Sequence, residues 1–312
     1  MTPLAIPAAK RRGGSQLHHA SRVTPSHKTV PVYRGAPQSL LLTPPSDDYY
    51  GTDGFGDVFY PNAPNPADYV SSEHAVNALI KLVTASPGKL QDKTGEITIV
   101  CLGPLTNIAL AVRLDPLFLG KVKQVIILGG SVEGVGNIAP GIEFNFYMDP
   151  EADFIVLNST DMRVSPAVSP IQLMPWETVL KRTNISMLAN ALVMFSSTAE
   201  DGEIEVRISE WRTKVLGAIS TRSMALLNQA ESQQLKGEYW YSSDTFAMAV
   251  ALNPDIITSQ TLYHANVETQ GTKSRGAVFV DYDNTTDSFK NVRIVQNLDA
   301  EELKVFLLNN FP

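Results

Sequence analysis

Three polar side chains on one stretch of the chain, Asn137, Glu143 and Asn145, could together bind a ligand. A carboxylate accepts hydrogen bonds and a carboxamide both accepts and donates them, so the set suits a molecule with neighbouring hydroxyl groups, such as a sugar. If residues 143–145 are extended, Glu143 and Asn145 point the same way while Phe144 turns toward the core. Hydrogen bonding within the loop itself is the alternative role for these side chains.

The elements on either side of this stretch would place it at a sheet edge. Residues 125–128 form a β-branched apolar run that predicts a buried strand, and glycines follow it. Asp149 can cap a helix and Pro150 suits the first turn of that helix. The polar loop would therefore lie at the carboxyl end of a strand, where open α/β sheets bind their ligands.

The rest of the chain alternates between strand and helix patterns. Such alternation predicts an α/β fold with a mostly parallel sheet and right-handed crossovers. The predicted strands are residues 97–102, 125–128, 162–168, 261–267, 277–280 and 292–295. The predicted helices are residues 72–84, 107–114, 184–196, 205–230, 299–309, one that begins at Asp149 and one that Asp244 opens.

Composition limits the classes of partner. The chain has 312 residues and a net charge of −7, which disfavours nucleic-acid binding. Residues 1–28 are basic and free of acidic residues, and we expect them to be disordered, with one domain over residues 29–312. The single cysteine, Cys101, lies in an apolar run and predicts a buried thiol in a reducing, cytoplasmic compartment. No apolar run is long enough to predict a membrane helix.

Several motifs, in the right order over residues 30–310, resemble the inosine-uridine-preferring nucleoside hydrolases. The most specific is G-N-x-x-P-x-x-E-F-N-x-x-x-D-P-E-A at residues 136–152. The others are V-Y-R-G-A at 32–36, G-T-D-G-F-G-D at 51–57, G-P-L-T-N at 103–107, S-S-D-T-F-A-M-A at 242–249 and E-T-Q-G-T-K-S-R-G at 268–276. The resemblance implies an open, doubly wound α/β fold and hydrolysis of the N-glycosidic bond of a ribonucleoside to ribose and base.

The resemblance also assigns roles to residues of the site. It implies that Asn137, Glu143, Asn145 and Asp244 bind the ribose and that Leu128 packs beneath it, although a core residue is the equal alternative for Leu128. The partner it implies is therefore a small-molecule nucleoside, and the oligomeric state stays open.

A calcium ion is the cofactor that the resemblance implies. The backbone carbonyl of Leu102 and the carboxylate of Asp244 match two of its ligands, although an aspartate before a helix is by itself more often an N-cap than a ligand. Many purine-preferring members carry a histidine where this chain has Ser243, so acid catalysis from that position is not expected. Arg275 is expected to form a structural ion pair, and His74 and His264 to be structural histidines.

The chain departs from the family pattern at its N-terminus. The motif D-x-D-x-x-x-D-D, which supplies the general base and most calcium ligands, is absent, and the first acidic residue is Asp47. We therefore expect the first strand-helix units of the domain to be missing and no general base to be present. A solvated turn is the expected role of Asp47 and Asp48.

Three interpretations remain open on this sequence. The chain could be an N-terminally incomplete product of a gene for a working hydrolase, which is the favoured interpretation. It could be a non-catalytic ribose-binding or interaction protein. It could also be a weak hydrolase that uses Asp47, Asp48, Asp53 or Asp57 in place of the missing acids. The preferred base is open in all three.

Overall fold

A computed structural model describes residues 30–42, 44–45, 69–85, 97–160, 169–182 and 243–310. The leader at 1–28, the predicted strand at 162–168, the predicted helices at 184–196 and 205–230, and Asp47, Asp48, Asp53 and Asp57 lie outside the described residues. No helix within the described ranges is both long and apolar enough to span a membrane.

Strands and helices alternate through most of the described chain. The strands are β1 (Val32–Arg34), β2 (Val70–His74), β3 (Thr98–Cys101), β4 (Gln124–Leu128), β5 (Ile171–Met174), β6 (Ile257–Val267), β7 (Val278–Asp281) and β8 (Val292–Leu298). The helices are α1 (Ala75–Ala85), α2 (Thr106–Leu114), α3 (Phe144–Met148), α4 (Pro150–Asn158), α5 (Trp176–Arg182), α6 (Ser243–Leu252) and α7 (Ala300–Asn310). Short 3₁₀ turns lie at Phe118–Lys121 and Pro254–Ile256.

Six strands form the central sheet in the order β3-β4-β5-β8-β6-β7. The pairs β3-β4, β4-β5 and β5-β8 are parallel, whereas β6 runs antiparallel to both β8 and β7. This confirms the prediction of an α/β fold with a mostly parallel sheet. The strands β1 and β2 form a separate parallel pair.

Helices cover both faces of the central sheet. In β4, Val125 and Ile127 belong to the core cluster formed with α1, α2 and α4. Ile126 and Leu128 belong to the second cluster, formed with α6 and α7. A strand whose alternate residues face two apolar layers must be apolar throughout. For this reason the continuous apolar run at 125–128 correctly predicted strand β4.

The start of one predicted helix and the position of one strand differ from the structure. The helix predicted from residue 72 begins at Ala75, because the preceding residues form β2 and pair with β1. The sequence pattern also missed β5, a strand of only four residues that follows Pro170. The strand is stabilised by pairing with β4 and β8, which are distant in sequence, so the local sequence pattern does not predict it.

Asp149 joins three segments at the carboxyl edge of the sheet. Its side chain caps α4 by accepting a hydrogen bond from Ala152 N at 3.2 Å, as predicted. The same carboxylate accepts hydrogen bonds from Leu40 N at 3.0 Å and from the Thr106 hydroxyl. The G-P-L-T-N turn and the segment after β1 are thus fixed to the start of α4 by one buried acid.

The close approach of β1 to the start of α2 requires a glycine. Ala36 N donates to Asn107 Oδ1 at 2.9 Å. A Cβ added to Gly35 would lie 2.5 Å from Asn107 Nδ2, well inside van der Waals contact. The V-Y-R-G-A motif therefore has a packing reason for its glycine.

Other predicted structural roles also appear in the fold. Arg275 makes a two-pronged ion pair with Glu151, with Arg275 Nη2 at 2.7 Å from Glu151 Oε2. His74 Nδ1 accepts from Val76 N at 3.2 Å, and His264 Nδ1 lies 2.8 Å from the carbonyl of Phe289. These residues serve local structure, as expected.

One buried acid has no hydrogen-bond partner within the described part of the chain. Asp153, on α4, is fully buried, and neither of its carboxylate oxygens is hydrogen bonded there. Burial, together with the charge of Asp149, raises the pKa of Asp153 well above its ordinary value. The neighbouring Cys101 is also buried, and burial raises the pKa of its thiol to about 12, so the thiol stays protonated.

We expect Asp153→Ala to stabilise the protein at neutral pH. Removing a buried, unpartnered carboxylate should raise the free energy of unfolding by about 1–3 kcal/mol at pH 7. The pKa of Asp153 is higher in the folded than in the unfolded protein, so at low pH the carboxyl is protonated in both states. As the pH rises above the pKa of the unfolded chain, burial of Asp153 begins to lower the free energy of unfolding. The gain should therefore shrink toward pH 4.

Urea unfolding at pH 4, 5.5 and 7 measures this gain. Asp255→Ala is the matched control, because Asp255 is exposed and its removal relieves no burial cost. Equal stability of wild type and Asp153→Ala at pH 7 would contradict the prediction.

Candidate functional site

The candidate site begins where β4 ends. Gly129 N donates to the carbonyl of Met174 at 3.1 Å, and Trp176 N donates to the carbonyl of Gly130 at 2.9 Å. The chain after β4 therefore stays attached to the end of β5 for two more residues. Beyond Gly130 it leaves the sheet as an irregular loop that leads to α3.

Glu143 organises the end of this loop. It is only 5% exposed, and its carboxylate accepts hydrogen bonds from Gly130 N at 2.8 Å, Asn145 N at 3.0 Å and Phe146 N at 3.3 Å. It is thus the N-cap of α3 and also holds the chain that leaves β4.

The expectation of an extended segment at residues 143–145 was wrong. Phe144 is the first residue of α3 and is half-buried, whereas Phe146 is the aromatic residue in the core. The physical reason is that the Glu143 carboxylate satisfies the free N–H groups of a helix start, so the chain turns into a helix immediately after it.

The two asparagines are linked to the same segment. Asn145 is buried, and its Nδ2 donates to the carbonyl of Leu128 at 3.0 Å. Asn137 is exposed, and its Oδ1 accepts from Phe144 N at 2.8 Å. The internal hydrogen bonds of the alternative interpretation are therefore present. A carboxylate has about four acceptor positions and a carboxamide has both donors and an acceptor, so these groups can still bind hydroxyls.

Asp244 approaches this group from another element. It lies in the first turn of α6, one residue after the helix begins at Ser243, and so is not at the cap position. Phe246 and Ala247 of the same helix pack with Leu128 in the second core cluster. The charge of Asp244 contributes to raising the pKa of Glu143. Asn137, Glu143 and Asn145 are thus linked to one segment, and Asp244 lies near enough for its charge to act on Glu143.

Both acids of the site are hard to ionise. Burial is the main cause that raises the pKa of Glu143 to about 7, opposed by the backbone hydrogen bonds from Asn145, Gly130 and Phe146 and reinforced by Asp244. Surrounding protein raises the pKa of Asp244 to about 6. The Asp244 residue also has exposed surface, so water offsets part of this effect. The two carboxyls titrate in the neutral range, where a ligand can compete with protons.

The two leucines of the site belong to the wall beneath it. Leu128 is 5% exposed and is a core residue of the second cluster. Leu102 follows β3 and packs against the same cluster. Both leucines therefore pack in or against the hydrophobic core. Contact of Leu128 with a sugar stays a prediction.

The described residues do not by themselves form a calcium site. Over the described ranges, no three His, Cys, Asp or Glu residues converge so that they could hold a metal ion. The expected donors reduce to the carboxylate of Asp244 and the carbonyl of Leu102, whereas calcium takes about six to eight oxygen ligands.

Sequence reasoning missed one residue that touches the loop. Glu177, in α5, is 2% exposed, and its carboxylate accepts hydrogen bonds from residues that follow Gly130. The contact spans more than 40 residues of sequence, so no local motif could have shown it.

Comparisons with known proteins show the family of the chain. The family model described as inosine-uridine preferring nucleoside hydrolase matches residues 15–305. The chain is 39% identical over 132 residues to Uridine nucleosidase 1 of Arabidopsis thaliana, a match that covers 42% of this chain and 36% of the relative. It is 39% identical over 132 residues to the pyrimidine-specific ribonucleoside hydrolase RihB of Escherichia coli, covering 42% of this chain and 38% of the relative. These matches therefore span less than two fifths of each relative.

Solved structures agree on the fold. An inosine-guanosine nucleoside hydrolase aligns with a TM-score of 0.66 at 24% identity, over 95% of this chain and 82% of the other. A plant nucleoside hydrolase aligns with a TM-score of 0.67 at 24% identity, over 90% of this chain and 80% of the other.

Gly136, directly before Asn137, gives a direct test of the loop geometry. Its φ is +67°, and a Cβ there would lie 2.2 Å from the carbonyl of Ala139 and 2.6 Å from Ile142 N. Gly136→Ala should therefore lower the free energy of unfolding by more than the roughly 1–2 kcal/mol that a left-handed alanine costs alone.

Gly134→Ala is the matched control for this substitution. Its φ is +79°, but no atom lies within 4 Å of the added Cβ, so only the conformational cost applies. Chemical denaturation of both variants checks the difference, and equal losses would mean that the turn at Gly136 is not packed as described.

Proposed function

The chain belongs to the inosine-uridine preferring nucleoside hydrolases, and we propose that it binds a ribonucleoside through its ribose and hydrolyses the N-glycosidic bond to ribose and free base. The observation that supports this most is the convergence of Glu143 and Asp244. They come from different elements, at the carboxyl end of β4 and the start of α6, yet the charge of Asp244 acts on Glu143.

The chemistry of these side chains suits ribose. Two carboxylates can accept from vicinal hydroxyls, and the exposed amide of Asn137 can donate to a ring or hydroxyl oxygen. Cleavage of a glycosidic bond develops positive charge on the sugar, which nearby carboxylates stabilise. In this proposal Glu143, Asn145 and Asn137 orient the sugar, and Asp244 fixes its hydroxyls from the opposite side.

A second candidate is nucleoside binding without cleavage. This candidate is supported by the hydrogen bonds of Glu143. Its carboxylate already accepts three backbone N–H groups in its role as a helix cap. Asp244 is then the remaining acid of the site within the described ranges, and hydrogen bonding to ribose engages it as well. Neither group is therefore free to take a proton from water.

Calcium is the ion to test with either candidate. Carboxylate, carbonyl and sugar hydroxyl oxygens are the ligands it prefers, and such an ion would lower the pKa of a bound water. Asp244 and the Leu102 carbonyl supply too few ligands alone.

We also propose a small-molecule substrate in the cytoplasm, without a nucleic-acid or membrane partner. The net charge of −7 and the single, buried cysteine support this. Two relatives are named as uridine or pyrimidine-specific enzymes, and the chain carries Ser243 before Asp244. Uridine is therefore the first substrate to test, with inosine beside it.

The proposal predicts calcium-dependent release of ribose from uridine. Asp244→Ala should lower kcat/KM at least 100-fold, because an acid that contacts the sugar is lost. Asp255→Ala, which removes an exposed acid near the other end of α6, should keep wild-type activity. A reducing-sugar assay with calcium and with EDTA measures this. Uridine binding without release of ribose by the wild type would favour the non-catalytic binding protein. A wild type that does not bind uridine and does not release ribose would refute the proposal.

Binding should also depend on pH. Hydroxyl groups donate to a carboxylate better than to a carboxylic acid, so uridine affinity should rise about tenfold between pH 5.5 and pH 8 as groups with pKa values of about 6 and about 7 ionise. In Glu143→Gln the component near pH 7 should disappear. Glu302→Gln, on the exposed face of α7, is the control. Calorimetry at fixed ionic strength measures the affinities, and an unchanged profile in Glu143→Gln would exclude Glu143 as the titrating group.

A further inference from the structure

The segment from Ser131 to Gly136 connects two parts of the candidate site. Gly130, just before it, donates its N–H to Glu143, and Asn137 follows it directly. The segment contains no helix or strand, and Gly134 and Gly136 both have positive φ. Its conformation must therefore be fixed by contacts other than a regular backbone ladder.

One carboxylate supplies most of these contacts. Glu177 Oε1 accepts from the Ser131 hydroxyl, from Glu133 N at 3.0 Å and from Val135 N at 3.3 Å. Glu177 Oε2 accepts from Val132 N at 3.1 Å. The network reaches the end of the segment, because Ser131 Oγ accepts from Gly136 N at 3.2 Å.

Glu177 is charged when it makes these contacts. Burial acts to raise its pKa, but hydrogen bonds from Ser131, Val132 and Glu133 outweigh burial and lower the pKa below its ordinary value. Hydrogen bonds to an ionised acceptor are about twice as strong as neutral ones. Three backbone N–H groups and one hydroxyl thus converge on one anion.

Part of the segment borders open space. A cavity of about 240 Å³ adjoins it, lined in part by Val132, Glu133, Thr178 and Tyr282. Tyr282 donates its hydroxyl to the carbonyl of Val132 at 2.8 Å across the rim. A segment released from Glu177 would have space to move into, so close packing alone does not hold it.

We propose that Glu177 is a positioning residue of the ribose site. It acts through residues 131–136. At one end this segment keeps Gly130 N bonded to Glu143, and at the other end it keeps Asn137 bonded to Phe144 N. The assignment rests on the proposed function for the identity of the ligand, whereas the anchoring of the segment can be measured without any ligand.

The test compares Glu177→Gln, Ser131→Ala and the control Glu302→Gln. A glutamine has one acceptor oxygen, and its NH₂ group would face backbone donors. In Glu177→Gln we expect uridine affinity to fall at least 30-fold, and amide hydrogen exchange at residues 132–136 to accelerate at least 100-fold, while β4 and β5 keep wild-type protection. Ser131→Ala, which removes the contacts of the Ser131 hydroxyl with Glu177 and with Gly136 N but leaves the other bonds to Glu177, should show smaller changes at the same residues, about a tenth of those in Glu177→Gln. Glu302→Gln should match wild type.

Three results would overturn the inference. One is wild-type exchange at residues 132–136 in Glu177→Gln. The second is equally accelerated exchange across β4 and β5, which would mean a general loss of structure. The third applies if Glu177→Gln does not fold: Ser131→Ala then has wild-type uridine affinity and wild-type amide exchange at residues 132–136. A wild-type protein that does not bind uridine would refute the proposed function instead, and the exchange data would still decide whether Glu177 anchors the segment.

Discussion

The hydrogen bonds that Glu143 accepts hold the candidate site together. The carboxylate is buried where β4 has ended and α3 begins, and it binds backbone N–H groups from both sides of that junction. Buried N–H groups need acceptors, and a loop between a strand and a short helix cannot supply them from a regular ladder. The carboxylate that the proposed sugar site would use is therefore also the acceptor that the backbone requires here.

The same arrangement recurs at the next helix. Asp149 caps α4 and accepts bonds from Thr106 and Leu40, so a second buried acid ties the strand-to-helix turn after β3 to the segment after β1. Glu177 provides a third example at the loop itself. At the carboxyl edge of the sheet, acids bind backbone donors from distant segments, and the proposed ligand-binding groups belong to the segments that these acids hold.

The sequence predicted the parts of the molecule whose patterns are local. The apolar run at 125–128 became β4 because both of its faces are covered, and Asp149 with Pro150 began a helix because capping depends on adjacent residues. Family motifs also pointed to Asn137, Glu143, Asn145 and Asp244 as ribose-binding residues, and that role stays a prediction. The conformation around Glu143 was missed, because an acid before Phe144 suits a strand and a helix cap equally well. Glu177 was missed for a different reason, since its partners lie in another segment of the chain.

The raised pKa values at this edge indicate which ligands would suit its acids. Glu143 and Asp244 are like charges in partly desolvated surroundings, and each raised pKa is a cost of holding the ionised form there. Protons, hydroxyl donors or a cation would each relieve that cost, so the acids favour ligands that carry such groups over ligands that do not. Asp153 shows that burial of an acid alone does not make a site. It is buried one turn into α4, beyond the edge, and among the described residues no donor reaches it. What distinguishes Glu143 is its position, because the carboxyl end of β4 and the first turn of α6 meet beside it.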